Sequence, residues 1–207
     1  MYVWPKRAIL GRAWLVVTVL AYVILALPLV AHAISETLPP SPSSGASTVR
    51  RLDALIVLAG DNEDGRVVET LETWQSFKPA LVLLLGDEMF AQRVAEAGVP
   101  ESRIRQNDGP LTTRAQMEWI GGEFRRHPVD AAAIIASRLQ MPRVFELART
   151  YRLHLIFLPS PLDHNSAQDG LRSLIPSYGA LQVSRDALYE RVALTYYRSR
   201  GWIAAEP

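Results

Sequence analysis

The sequence predicts an α/β fold with a mostly parallel sheet, helices on both faces and an additional N-terminal transmembrane helix. Four short runs of mainly apolar residues alternate with longer stretches in which apolar residues recur every three or four positions. Runs this apolar are typical of strands buried on both faces of a parallel sheet. Alternation of strands with helices favours the same architecture.

Length and composition are compatible with one globular domain plus extra segments. The chain has 207 residues, is 49% hydrophobic and contains no cysteine. Disulfides, thiolate zinc sites and cysteine nucleophiles are therefore excluded. From Arg51 onward there are 18 Lys and Arg residues against 20 Asp and Glu residues. The basic surplus thus belongs to the N-terminus, and no nucleic-acid partner is predicted.

The N-terminal region predicts attachment to the cytoplasmic membrane. Lys6, Arg7 and Arg12 precede an uncharged stretch from Ala13 to Ala31. These nineteen residues approach the roughly 20 that a helix needs to cross a bilayer. Because the basic residues come first, we expect a cytoplasmic N-terminus and a periplasmic or extracytoplasmic C-terminal domain. The predicted localisation is the cell inner (plasma) membrane, with a single pass.

A cleavable signal peptide is the alternative for residues 1–33. Ala31-His32-Ala33 has the small-x-small form of a cleavage site, and Pro28 would end a helix before it. The protein would then be cleaved and exported. Residues 34–50 contain three prolines and a Ser/Gly cluster without apolar periodicity, which predicts an extended linker. Residues 51–207 are predicted to form the α/β domain.

The elements of this domain are predicted in order from Leu52. Apolar runs of strand length predict strands at Leu52–Leu58, Ala80–Leu85, Ala131–Ala136 and Leu153–Leu158. Apolar residues at i, i+3, i+4 and i+7 predict helices around 67–74, 90–97, 117–124 and 144–151. A last helix is predicted over about 185–198, with Ser184 as its N-cap.

The turn after the first strand is the first candidate site. It reads Gly60-Asp61-Asn62-Glu63-Asp64-Gly65-Arg66, and ligands in open α/β sheets bind just beyond the carboxyl ends of the strands. Backbone N–H groups of this turn, together with Arg66, would contact a ligand. The alternative is an Asp/Asn-rich turn that caps the next helix.

Two arginines and a serine are further candidates. Arg66 and Arg143 each lie near the start of a helix that follows a strand, so both could contact an anion. The alternative is a pair of surface ion pairs, for instance with Glu69 and Glu146. Ser137 ends a strand without the Gly-x-Ser-x-Gly surroundings of a nucleophile elbow, so ligand contact or helix capping is expected for it.

Two more turns complete the candidate site. Thr113-x-x-Gln116 has the form of a capping box, and Thr113 is also a candidate ligand contact. Asp87, after Gly86, is a candidate general base, ribose-hydroxyl acceptor or N-cap. The three histidines of the domain form no i, i+4 pair, so no metal site is predicted.

Motifs spread over about residues 52–202 carry a family resemblance. They are Leu55-Ile-Val-Leu-Ala-Gly60 with Arg66, Gly98-Val-Pro100 with Ile104, Thr113-x-x-Gln116, Ser137-x-x-Gln140-Met-x-Arg143, and Pro176-Ser177 with Ser184, Glu190, Tyr197 and Gly201-Trp202. In order and spacing they resemble the YdcF-like (SanA/ElyC-type) family of bacterial envelope proteins. The resemblance implies a Rossmann-like domain and a role in cell-envelope biogenesis or barrier function. It also implies a nucleotide-type ligand, as proposed for a cytoplasmic relative.

The chain departs from that family at several motif positions. Leu85-Gly86-Asp87 stands where the family has Ser-Gly-Gly, Gln116 where it has Asn, and Gln140 where it has His. Without the imidazole, the motif lacks the side chain best suited to acid–base chemistry near neutral pH. The resemblance therefore carries over a ligand site that includes Gln140, but no catalytic mechanism.

The predicted function is that of a membrane-tethered, periplasm-facing YdcF-like domain in envelope biogenesis. It would bind a small polar, anionic or nucleotide-like ligand at the strand carboxyl ends. One alternative is a hydrolase or transferase acting on an envelope precursor, with Asp87 or Asp61 as the base. The other is a non-catalytic interaction module with a decayed pocket. The sequence identifies no cofactor.

Overall fold

Residues 4–40, 50–60, 63–160 and 170–203 are described by a computed structural model of the chain. Their packing divides the chain into two units. The first consists of the described parts of 1–38 and 164–191, and the second of the described parts of 39–163 and 192–207. Residues 41–49 of the predicted linker lie outside the described residues.

The first unit is helical. It contains α1 (Trp4–Leu25), α2 (Pro28–Ser35), a 3-10 helix (Gly170–Leu174) that packs on α2, and the first part of α7 (Tyr178–Ser199). The last carbonyls of a helix have no partner inside it. At the end of α1 they accept hydrogen bonds from the N–H of Ser177, 2.8 Å from the Ala26 oxygen, and from the Ser184 hydroxyl, 2.8 Å from the Leu25 oxygen.

The helix predicted over the uncharged N-terminal stretch is interrupted after Leu25. Pro28 takes the first position of α2, where its missing N–H sacrifices no hydrogen bond. The predicted transmembrane span stays a prediction. No single helix of the described residues meets the length and hydropathy needed to cross a membrane. Ile9–Leu25 and Pro28–Ser35 meet them only together, across a bend of 74°.

The second unit contains a five-stranded parallel sheet. Its strands are β1 (Ala54–Leu58), β2 (Leu81–Leu85), β3 (Ile104–Gln106), β4 (Ala132–Ser137) and β5 (Leu155–Ser160). They lie in the order β3-β2-β1-β4-β5, and every neighbouring pair is parallel. The predicted Rossmann-like sheet is confirmed, since the four predicted strands are found with small shifts at their ends.

Helices cover both faces of this sheet. They are α3 (Glu63–Phe77), α4 (Glu88–Glu96), α5 (Thr113–Arg126) and α6 (Met141–Thr150). Ile156 and Leu158 of β5 pack in the apolar core that contains Leu71 of α3. Between them Phe157 points to the other face and meets Phe145 of α6 edge to face, with ring centroids 5.2 Å apart. The α3 and α6 helices therefore lie on opposite faces, as predicted.

Two elements differ from the sequence prediction. The short strand β3 is not predicted, because Arg105 and Gln106 leave it without an apolar run. The α7 helix begins at Tyr178, and the N–H of Ala180 donates to the Ser177 hydroxyl oxygen at 3.2 Å. Ser184 lies inside α7, so its prediction as the N-cap is wrong.

Candidate functional site

The order of the sheet reverses between β1 and β4. Ligands of doubly wound sheets bind outside the carboxyl ends of the strands at such a point. Eight predicted site residues are described, and each lies at the end of a strand, in the turn that follows a strand or in the first turns of the next helix: Gly60, Arg66, Gly86, Asp87, Thr113, Ser137, Gln140 and Arg143. Asp61 and Asn62 lie outside the described residues. The role of these residues as ligand contacts stays a prediction.

Arg66 is packed beneath the turn that follows β1. Its side chain is fully buried, and Nη1 donates to the Leu58 carbonyl at the end of the strand. Gly60 has a φ of +153°, and a Cβ atom there would lie 2.9 Å from Nη1 of Arg66. Glycine therefore allows the backbone to approach the guanidinium closely. A surface ion pair, the alternative for Arg66, is wrong because the side chain is not on the surface.

The carboxylates at the start of α3 pair with Arg93, which is not predicted from the sequence as a site residue. Nη1 of Arg93, on α4, lies 3.1 Å from Oε2 of Glu63, and its Nη2 pairs with Asp64. Both carboxylates lie in the first turn of α3, where negative charge is favoured by the helix dipole. The pairing with Arg93 reduces the repulsion that these carboxylates would exert on an anion.

Gly86 and Asp87 join β2 to α4. A Cβ atom on Gly86 would lie 2.5 Å from that of Ala59, so the turns after β1 and β2 pack too closely for a side chain. The Gln106 amide donates to the Gly86 carbonyl at 2.7 Å. Asp87 accepts a hydrogen bond from the N–H of Phe90 at 2.8 Å, which confirms the N-cap interpretation.

The capping box predicted at Thr113 is wrong by one residue. Thr112 is the N-cap of α5, and its hydroxyl accepts a hydrogen bond from the N–H of Ala115 at 3.2 Å. Thr113 is buried instead, and its hydroxyl accepts a hydrogen bond from Nη1 of Arg143. The structure thus brings the start of α5 and the start of α6 together through two predicted site residues.

Arg143 is only 5% exposed. The predicted alternative of a surface ion pair with Glu146 is therefore wrong, and Glu146 lies 3.5 Å from Arg149 instead. In the turn before α6, Ser137 Oγ accepts a hydrogen bond from the N–H of Gln140 at 3.2 Å. The Gln140 side chain makes no capping hydrogen bond. Ser137 therefore stabilises the turn and is not the N-cap of α6, and its role as a ligand contact stays a prediction.

Aromatic side chains from the end of the chain surround Arg143. Its guanidinium carbon lies 5.8 Å from the Tyr197 ring centroid. Tyr197 and Trp202 pack edge to face at 5.2 Å, and the Arg114 guanidinium lies 4.5 Å from the Trp202 ring. Such contacts are weakly attractive cation–π pairs. Tyr197 and Trp202 belong to the family motif but are not predicted from the sequence as site residues.

Glu69 and Ser160 form a second cluster, and neither is predicted from the sequence as a site residue. Ser160 is buried at the end of β5. Burial is the largest effect on the Glu69 carboxyl and raises its pKa. The Ser160 hydroxyl lowers the pKa, the negative charge of Glu72 raises it, and the positive charge of Arg66 lowers it. The available signal was the spacing of Arg66, Thr70 and Thr73, which places three polar residues on one helix face.

Comparison with known proteins assigns no family to this chain. No family model and no curated protein matches it. Within the described ranges, no three His, Asp or Glu side chains are grouped so that they could hold a metal ion. The chemistry of the site therefore has to be inferred from its own residues.

Proposed function

We propose that this chain is a membrane-tethered, periplasm-facing YdcF-like domain that serves cell-envelope biogenesis. Its sheet binds a small polar or anionic ligand at the carboxyl ends of β1 and β4. The motifs from Gly60 to Trp202 support the family, and the order of the sheet supports the place of the ligand. The ligand class includes phosphates and nucleotides.

The observation that carries the ligand site is a pair of buried arginines beside the switch point. Arg66 follows β1 and Arg143 follows β4, the two neighbouring strands between which the order reverses. Each donates to an oxygen at the carboxyl edge, the Leu58 carbonyl or the Thr113 hydroxyl. A planar guanidinium at this edge is suited to a phosphate or carboxylate.

The observation that supports the tether is the surface of α1. Each residue from Trp14 to Val17 is more than half exposed. Because successive helical residues point about 100° apart, these four cover every side of the helix with apolar groups. The Thr18 hydroxyl donates to the Trp14 carbonyl at 2.9 Å, within the helix. Such a surface is suited to lipid, where polar groups need partners inside the helix.

Isothermal titration of the full-length protein in detergent tests the ligand site. Inorganic phosphate, adenosine diphosphate and a hexose phosphate are the probes. We expect saturable heat with at least one of them, because all three present oxyanions to the arginines. Arg143→Gln should abolish this heat. Arg149→Gln, on the same helix, should leave it unchanged because the Arg149 side chain is 63% exposed and pairs with Glu146.

Circular dichroism of each variant separates lost binding from lost folding. Arg143→Lys keeps the charge without the planar fork, so we expect binding weaker than in the wild type but stronger than in Arg143→Gln. Absence of saturable heat for folded wild type with every probe would overturn the ligand site. Equal losses in the Arg143 and Arg149 variants would also do so.

A further inference from the structure

The exposed apolar surface of the first unit extends beyond α1. Five large apolar side chains, here called the apolar collar, are exposed on α2, on the 3-10 helix or directly after it, and at the start of α7: Leu29, Leu171, Leu174, Ile175 and Tyr178. Leu171 is 85% exposed and Tyr178 is 70% exposed. Exposed apolar groups that cluster in this way mark a contact surface.

The collar is attached to the end of α1. The N–H of Ser177 donates to the Ala26 carbonyl at 2.8 Å, and the Ser184 hydroxyl donates to the Leu25 carbonyl at 2.8 Å. The 3-10 helix packs on α2, which starts at Pro28. Wherever the end of α1 lies, these segments must lie beside it.

The length of α1 indicates what covers the collar. Arg12 is the last charged residue before the end of the helix, and Ala13–Leu25 is a run of 13 residues. At 1.5 Å per residue this run is about 20 Å long, against about 30 Å for the hydrocarbon core of a bilayer. α2 turns away by 74°, so it does not extend the run along the same axis. Apolar groups beside the end of α1 would occupy the rest of the hydrocarbon core, between the end of this helix and the headgroups.

We propose that the apolar collar lies in the bilayer, at the boundary between headgroups and acyl chains next to the end of α1. The inference rests on the proposed membrane attachment and adds a second point of lipid contact to it. Tyr178 has the amphipathic ring typical of membrane interfaces. Arg172, exposed within the same segment, is suited to lipid phosphates. The first unit would then contact the membrane through two elements.

Depth-dependent quenching in bilayers tests this proposal. The chain has no cysteine, so single cysteines at Leu171 or Tyr178 can carry an environment-sensitive fluorophore. Val17→Cys on α1 reports membrane insertion. Leu111→Cys is the matched control, because Leu111 is an apolar side chain with 91% exposure in the second unit. Full-length protein is reconstituted into phosphatidylethanolamine and phosphatidylglycerol vesicles whose lipids carry nitroxides on the headgroup or deep in the acyl chain.

We expect the labels at Leu171 and Tyr178 to lose fluorescence with headgroup nitroxides, and the label at Val17 with acyl-chain nitroxides. The label at Leu111 should keep its fluorescence with both. If Val17 is quenched while Leu171 and Tyr178 behave like Leu111, the collar proposal is overturned and the membrane attachment stands. If Val17 is not quenched, the attachment itself fails. Shielding of the labels at 171 and 178 from both quenchers, together with disulfide cross-links between copies when the unlabelled cysteine variants are oxidised, would identify a protein interface instead of a lipid contact.

Discussion

Arg66 and Arg143 have similar environments although they follow different strands. Each side chain is buried and donates to an oxygen at the carboxyl edge, the Leu58 carbonyl or the Thr113 hydroxyl. Removing either guanidinium would leave a buried acceptor without its donor, which costs stability as well as any ligand contact. Substitutions of residues next to the arginines therefore distinguish an effect on stability from an effect on ligand binding better than substitutions of the arginines themselves.

Gly60→Ala should lower the free energy of unfolding by about 1–3 kcal/mol, the usual cost of an unfavourable backbone conformation. The added Cβ would meet Arg66 at 2.9 Å, at a φ of +153°. Gly121→Ala is the matched control, since its Cβ would meet nothing closer than 3.7 Å, on α5. It should stabilise the protein by up to about 1 kcal/mol. Urea unfolding in detergent measures both, and equal effects of the two variants would contradict the role of Gly60.

Glu69 should make stability decline as pH rises. Burial raises its folded-state pKa above the ordinary value of 4.5, so the folded protein binds the proton more tightly than the unfolded chain. The stabilising contribution is complete below pH 4.5 and is lost as pH rises through the folded pKa. Glu69→Gln should remove that decline, and unfolding measured from pH 4 to 8 would show it. An unchanged pH profile would contradict the burial of this carboxyl.

Asp53→Asn is the control, because Asp53 should make stability rise with pH, the opposite of Glu69. The hydrogen bond from the Ala131 N–H has the largest effect on the Asp53 carboxyl and lowers its pKa, whereas burial raises that pKa. The N–H of Asp130 and the charge and hydrogen bond of Arg51 lower the pKa further. The contribution of Asp53 is thus present above pH 3.8 and lost as pH falls through the folded pKa. The variant should lose stability at neutral pH and become less sensitive to acid.

Two helices that start at the carboxyl edge, α4 and α5, share one device, a side-chain oxygen that accepts a backbone N–H. Asp87 does this for α4 and Thr112 for α5. Such caps satisfy N–H groups that have no partner in the helix. The caps account for the folding of these turns, whereas Thr113 and Arg143 are left to define the interior of the site.

Thr112→Ala and Thr113→Val should therefore have different effects. Thr112→Ala removes the cap of α5 and should lower the free energy of unfolding by about 0.5–2 kcal/mol, with anion binding unchanged. Thr113→Val keeps the shape of the side chain but removes the hydroxyl that accepts from Arg143, so anion affinity should fall. Urea unfolding and titration with phosphate distinguish the two. If Thr113→Val lowered the free energy of unfolding by this amount and Thr112→Ala did not, the assignment of Thr112 as the N-cap would be wrong.

At the scale of the whole molecule, the proposed function needs the second unit outside the cytoplasm. The basic residues Lys6, Arg7 and Arg12 precede the apolar run, whereas no charged residue follows before Glu36. Charge on the N-terminal side retains that end in the cytoplasm. The predicted orientation thus rests on a few residues in the first half of α1, so it can be tested by substituting them.

Reporter fusions at the C-terminus should give the periplasmic pattern. We expect an alkaline phosphatase fusion to be active and a green fluorescent protein fusion to be dark in bacterial cells. Replacing Lys6, Arg7 and Arg12 by Glu should reduce the exported fraction, because the charge that retains the N-terminus is reversed. Substitution of Arg50, Arg51 and Arg103 by Glu is the matched control. A fluorescent wild-type fusion without phosphatase activity would contradict the proposed orientation.

The sequence alone determined the fold class, four of the five strands and the edge of the sheet that carries the candidate site. This was possible because strands buried on both faces need uninterrupted apolar residues, a requirement visible in any short window. Leu55–Leu58 is such a run, and the turn that follows it had to lie at the carboxyl edge. β3 was not predicted, because its pairing with β2 and not its own composition makes it a strand.

Only the tertiary structure decided which side chains meet at that edge. Arg93 reaches Glu63 and Asp64 across two helices, and Tyr197 reaches Arg143 from the end of the chain. These partners are far apart in sequence, and no local period or cap motif encodes their distance. The physical reason is that helix and strand patterns report burial of one face at a time, whereas a site is defined by contacts between several elements once they have packed.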